Sequence, residues 1–100
     1  MKHNRQFILK EEFISDFAEA MNWYSERSQQ SATDLYNDVH SILRHIENHP
    51  ESFSVIQRNY RQAVLGNFPY VIVYKIYRTE ISVFAFFHTS RNPRKKIRRK

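Results

Sequence analysis

The sequence predicts an α+β domain of two layers, in which a helix hairpin packs on an antiparallel sheet. Apolar residues recur at helical spacing through residues 11–49, and from Tyr60 onward the period changes to β-branched and aromatic runs separated by turn residues. Size sets the limit: 100 residues, 41% of them hydrophobic, make one core and one domain. The element order read from the chain is β-α-α-β-β-β.

Arg5 to Leu9 reads as a short strand. Glu11 and Glu12 then open a helix, where carboxylates meet the positive end of the helix dipole. Phe13, Phe17, Met21 and Tyr24 form its apolar stripe, flanked by Ile14, Ala18 and Ala20. Ser25 to Gln30 is polar and breaks the pattern. Ser31-Ala-Thr-Asp34 predicts the start of a second helix, with a hydroxyl cap and a carboxylate three residues on. Leu35, Val39, Ile42, Leu43 and Ile46 carry that helix to Asn48-His49-Pro50, where proline stops it. So short a link predicts an antiparallel hairpin.

In the second half, Tyr60 to Leu65 reads as a strand and Gly66-Asn67-Phe68-Pro69 as the turn after it. Tyr70 to Tyr77 and Ile81 to His88 are two longer strands joined across Arg78-Thr79-Glu80. Their nearly unbroken apolar runs predict a sheet covered on both faces, one by the helix hairpin and the other by something further.

The formal charge of +6 is unevenly placed. Residues 1–50 carry five Lys/Arg against eight Asp/Glu, and residues 51–100 carry eleven against two. Seven of those basic groups lie in the last ten residues, so the basicity is a tail and the body is close to neutral. Such a tail attracts a polyanion in a salt-dependent way, binds an acidic protein, or is a solvated terminus. We therefore divide the chain into a domain over 1–93 and a basic C-terminal tail over 94–100.

Cysteine is absent, which removes disulfides and thiolate metal sites and suits a reducing cytoplasm. The apolar run Phe7-Ile8-Leu9 is too short for a signal-peptide core, and no stretch is long enough to span a bilayer. The expected location is cytoplasmic. With Gly66 the single glycine, phosphate-cradling loops are scarce and nothing resembles a P-loop or dinucleotide fingerprint, so no cofactor is expected. His45 and His49, four apart on the second helix, have metal-ligand spacing. Beside Pro50 and without cysteine they read instead as side chains at a helix C-terminus, so no metal is expected.

Four local motifs carry a resemblance. Trp23-Tyr24 closes the first helix; Ile46-Glu-Asn-His-Pro50 followed by Phe53 ends the second. Arg61, Leu65 and Phe68-Pro69-Tyr70-Val-Ile-Val-Tyr74 span a strand pair, and His88-Thr-Ser-Arg91-Asn-Pro93 follows the last strand. In this order and spacing, over roughly residues 5–93, the chain resembles the RelE/ParE superfamily of toxins from type II toxin–antitoxin systems, closer to its ParE-like members. The resemblance implies that superfamily's two-layer fold and a cognate antitoxin as partner.

It also implies one of two targets. ParE-like members inhibit DNA gyrase; RelE-like members cleave mRNA on the ribosome with basic side chains and, in some, a tyrosine. Cleavage needs a base for the 2′-hydroxyl, cations for the phosphorane and an acid for the leaving oxygen. Carried over by position, Arg61 and Arg91 match basic residues of the RelE set, whereas Ala63 and Val71 stand where cations are expected and Ile97 roughly where the tyrosine is. Uncharged Ala63 and Val71 cannot stabilise a phosphorane and disfavour a RelE-type cleavage.

The expectation is thus a growth-inhibiting toxin that binds and poisons gyrase and is neutralised by its antitoxin. The alternatives are a ribosome-dependent mRNA endonuclease and an inactivated, antitoxin-binding relative. If the chain is an endonuclease, Arg61, His88 and Arg91 are the catalytic candidates; as target-binding residues we take Arg61, His88, Arg91, Arg94 and Lys95. Arg61 equally suits holding a turn or a carboxylate. A strand-end histidine such as His88 is more often structural. Arg91 offers a planar donor fork beside the tail. Lys75, Tyr77 and Arg78 form either a polar strand-end patch or a solvated edge.

Overall fold

The computed structural model describes residues 5–90. The strand β1 (Gln6–Leu9) leads into two helices, α1 (Glu11–Ser25) and α2 (Gln29–Asn48), and then into the sheet strands β2 (Ser54–Val55), β3 (Tyr60–Val64), β4 (Tyr70–Ile76) and β5 (Glu80–His88). All five strands join one sheet in the order β1-β5-β4-β3-β2.

Two differences from the sequence reading concern the sheet. It is mixed rather than wholly antiparallel, because β1 runs parallel to β5, pairing Gln6 with Glu80 and Leu9 with Val83. Helices intervene between these strands, so the chain re-enters the sheet without the reversal a hairpin imposes. A short β2 also pairs antiparallel with β3, Val55 opposite Arg61.

The turn from β2 to β3 lacks the glycine that would mark it in the sequence. Tyr60 donates its N–H to the Gln57 carbonyl, while Arg58 (φ 58°) and Asn59 (φ 64°) both sit in the left-handed region. Positive φ at both central residues is the requirement of a type I′ turn, normally met by Asn-Gly.

A third difference lies at α2. Its N-cap is Ser28, whose hydroxyl accepts a hydrogen bond from the Ser31 N–H at 3.1 Å. The helix therefore begins at Gln29, with Ser31 inside its first turn. The apolar stripe is otherwise as read. Leu35, Val39 and Ile46 are buried from α2, and Phe13 and Ala20 from α1, against Ala63, Leu65, Ile72, Tyr74, Ile81, Val83 and Phe86 of the sheet region.

Alternation along β4 sends Val71 and Val73 to the opposite face, where they are buried with Ala85 and Phe87. Ile56, Tyr60 and Phe84 pack against this second cluster, which lies on the face the helix hairpin leaves open. Parity on β5 is not simple. Val73 pairs with Ala85 and Tyr74 with Val83, so Phe84 is an extra residue, a β-bulge. Without it Phe86 would point away from the helices; with it, Phe86 meets Phe13 and Phe17 edge-on at 6.0 and 5.5 Å.

Candidate target-binding face and its supporting cleft

The far end of the sheet, where β4 begins and β5 ends, gathers an aromatic cluster. Tyr70 stacks on Phe86 with ring centroids 4.6 Å apart and planes 1° from parallel. Tyr24 of α1 meets the Tyr70 ring at 6.3 Å and the Phe68 ring edge-on at 5.3 Å, and Trp23 meets Tyr24 at 4.9 Å. The Trp-Tyr pair and the Phe-Pro-Tyr turn, read separately in sequence, are thus one packed unit.

Beside this unit, α1 and the end of β5 border an open cleft of about 430 Å³ lined by Asp16, Glu19, Trp23, Tyr24, Tyr70, His88 and Ser90, among others. β1 accompanies β5 only as far as Val83, and among the described residues no strand pairs with β5 beyond it on that side. Asp16 closes part of this edge, its carboxylate accepting a hydrogen bond from the Phe86 N–H at 3.4 Å. Sequence reading did not single out Asp16; its place one residue before Phe17 on α1 is the only signal it gives. The indole of Trp23 is half exposed at the cleft, with the Arg27 guanidinium 3.8 Å from its ring centre.

His88 ends β5 at this cleft. Its Nδ1 accepts a hydrogen bond from the Ser90 N–H at 3.2 Å and lies 3.0 Å from the Ser90 hydroxyl, while its ring meets the Tyr70 edge at 5.5 Å. A backbone N–H can only donate, so Nδ1 is the acceptor and Nε2 carries the proton. The Thr89 N–H bonds to the Pro69 carbonyl at 2.8 Å, fixing how the chain leaves the sheet.

Arg61 is elsewhere. It pairs with Tyr74 on β4, whereas His88 pairs with Tyr70. Four residues of strand separate the two registers, roughly 13 Å, so Arg61 and His88 do not converge on one bond. The Arg61 guanidinium instead donates to the Phe53 carbonyl at 2.7 Å and the Glu51 carbonyl at 3.3 Å. Tyr74 donates to the neighbouring Pro50 carbonyl at 2.5 Å. Burial pushes the Tyr74 phenol up to about 12, with nearby Arg61 pulling the other way. Arg91, Arg94 and Lys95, with the 94–100 tail, lie outside the described residues.

Ala63 is fully buried beneath the helices and Val71 is buried on the opposite face. Neither position has room or solvent for a cation. His45 and His49 lie with ring centroids 5.2 Å apart and His45 edge-on to Phe53, a pair of aromatic contacts at the end of α2. Among the described residues no group of three or more His, Cys, Asp or Glu could hold a metal ion. No described helix is long and apolar enough to cross a membrane.

Residues 7–93 match the family described as the ParE toxin of type II toxin-antitoxin system, parDE. The chain belongs to the ParE toxin family. Two relatives, both named Toxin ParE2, come from Mycobacterium tuberculosis strains CDC 1551 / Oshkosh and ATCC 25618 / H37Rv. Each is 28% identical over 79 residues, covering 78% of this chain and 75% of its own length. A solved structure described as the chromosomal ParDE TA system from P. aeruginosa superposes with a TM-score of 0.76 at 11% identity, covering 87% of this chain and 98% of that one. At such low identity this likeness speaks for the fold. As a ParE family member, the chain is a toxin-antitoxin toxin with the helix hairpin and sheet described above.

Proposed function

We propose that this ParE family toxin arrests growth by binding DNA gyrase rather than by cutting RNA, and that a cognate antitoxin neutralises it in the cytoplasm. The observation that carries this reading is the burial of Ala63 and Val71. Two positions that should present cations to a cleaved phosphodiester are packed into apolar clusters on opposite faces of the sheet. Arg61 and His88, the catalytic candidates among the described residues, stand too far apart to share a proton-transfer step. What remains is a binding surface.

His88, presenting a fixed Nε2–H beyond the Tyr70 ring, is proposed as the first target contact, with Arg91, Arg94 and Lys95 following it in sequence. Arg61 acts in this scheme by holding the connection before β2 in place. The antitoxin's segment is proposed to enter the cleft beside β5, where Trp23 and Tyr24 offer apolar contact.

The test is a supercoiling assay with purified gyrase and increasing toxin. Inhibition relieved by co-purified antitoxin, and weakened by Arg91→Ala, is the expected result. Undiminished supercoiling at excess toxin, together with discrete cuts in translated mRNA, would overturn the reading in favour of an endonuclease. Normal growth on expression without antitoxin would mark the chain as an inactive relative.

A further inference from the structure

The opposite end of the sheet carries a second feature that the toxin reading does not use. Because β1 and β5 run together, Arg5 arrives beside the β4–β5 turn, and its Nε donates to the Tyr77 carbonyl at 2.8 Å. The β2–β3 turn lies at the same end and carries Arg58 at its exposed tip. Arg78 stands exposed in the β4–β5 turn. Between the turns, on the sheet face away from the helices, the Lys75 ammonium lies 5.0 Å from the Tyr60 ring centre and 5.4 Å from that of Tyr77. Phe84 extends the aromatic surface, edge-on to Tyr60 at 5.4 Å.

Four cations among the described residues thus share this end with the carboxylate of Glu80, which accepts the Ser82 hydroxyl. The Tyr77 ring is exposed among them, and the Arg58 tip is held by a backbone conformation that side-chain-bearing residues adopt at a cost. Glycine at the turn would be the easier solution, and it would remove the cation.

We propose that this end of the sheet binds single-stranded nucleic acid, with Lys75, Arg58 and Arg78 on phosphates and the Tyr77 ring stacked on a base. Cations interleaved with aromatic rings on a sheet face are the arrangement that recognises unpaired strands, since every base has a face to stack and duplex bases are already stacked. An acidic peptide would use the cations and leave the rings without a flat partner. The site is independent of the proposed gyrase contact: Lys75 lies five residues along β4 from Tyr70, roughly 17 Å.

Fluorescence anisotropy of the full chain with a fluorescein-labelled oligo(dT), titrated over a range of salt, tests the proposal. The basic C-terminal tail is kept in every variant, so its contribution cancels. Tyr77→Leu is expected to weaken oligo(dT) binding about ten-fold. Arg78→Gln, at an exposed turn where folding is not at stake, is expected to reduce the salt slope by about 0.7. Wild-type affinity and slope in both variants would overturn the proposal and leave the tail as the sole binder. Equal weakening towards an oligo(dA)·oligo(dT) duplex would overturn the stacking role, and preferential binding of a polyglutamate peptide would make the surface a protein-docking site instead. Gyrase inhibition by the same variants reports on the other end of the molecule and is expected to be unchanged.

Discussion

The Arg61 guanidinium spans from β3 to the segment before β2 and donates to the Phe53 carbonyl at 2.7 Å. With Tyr74 bonded to the Pro50 carbonyl, it satisfies backbone acceptors of the short 3-10 turn Pro50–Ser52 and its exit at Phe53, which follow where α2 ends before Pro50. Arg61→Ala is expected to destabilise the fold by about 1–3 kcal/mol in urea denaturation, and Arg61→Lys to recover only part of it, because an ammonium lacks the planar fork. Unchanged stability in both would mean that the guanidinium is not needed to hold this connection.

Tyr74 also sets a pH dependence. Its phenol ionises near 12 in the folded chain and near 10 when unfolded, because burial disfavours the phenolate. The unfolded state therefore releases the proton first. The Tyr74 contribution is complete below pH 10, declines as pH rises from 10, and is lost by about 12, at up to about 1.4 kcal/mol per pH unit. Tyr74→Phe should remove that slope from the stability profile between pH 10 and 12 while losing the Pro50 hydrogen bond at every pH.

Helix capping separates two serines three residues apart. Ser28→Ala removes the acceptor for the Ser31 N–H and should cost about 0.5–2 kcal/mol. Ser31→Ala, within the first turn of α2 and not its cap, should change stability by less than about 0.5 kcal/mol. Thermal melts of the two variants are expected to rank in that order; the reverse order would return the helix start to Ser31.

The β2–β3 turn responds to backbone chemistry. Asn59→Gly relieves a positive φ, and a gain of roughly 0.5 kcal/mol is expected after the greater entropy of unfolded glycine is deducted. Arg58→Pro, with φ locked near −65°, cannot adopt the observed 58° and should destabilise by about 3 kcal/mol or more. Denaturation midpoints of both variants provide the check.

Core truncation calibrates the scale. Leu35, fully buried from α2, should cost about 2–5 kcal/mol as alanine. Val64, half exposed on β3, should cost under about 0.5 kcal/mol in the same substitution. Urea denaturation that found the two equal would contradict the burial described for α2.

Periodicity made the helices and the three long strands legible, because Phe13, Leu35, Val39 and Ile72 obey simple spacings that water alone enforces. Three features escaped it. The parallel pairing of β1 depends on where the helices return the chain, which no local pattern records. The Arg58–Asn59 turn breaks the composition rule for its own type. Phe84 is one extra residue in an otherwise regular apolar run, and only the packing of Phe86 against Phe13 shows that it is extra. At the candidate site, Trp23, Tyr24, Tyr70 and His88 were visible as motif members. The neighbourhood of Asp16 and the Phe86 N–H was not, since those residues lie 70 apart in sequence.

The parallel docking of β1 on β5 gives this toxin a built-in delay. Arg5 and Tyr77 meet across 72 residues, and among the described strands β1 pairs with β5 alone, so it has no strand partner until almost the whole domain has been translated. A nascent or prematurely terminated chain lacking residues 80–88 has helices but no closed sheet, and the β5 cleft cannot assemble from it. A chain that stops before residue 80 therefore lacks both the strand that β1 pairs with and the β5 wall of the cleft, so the first and last strands of the sheet are completed in one late step.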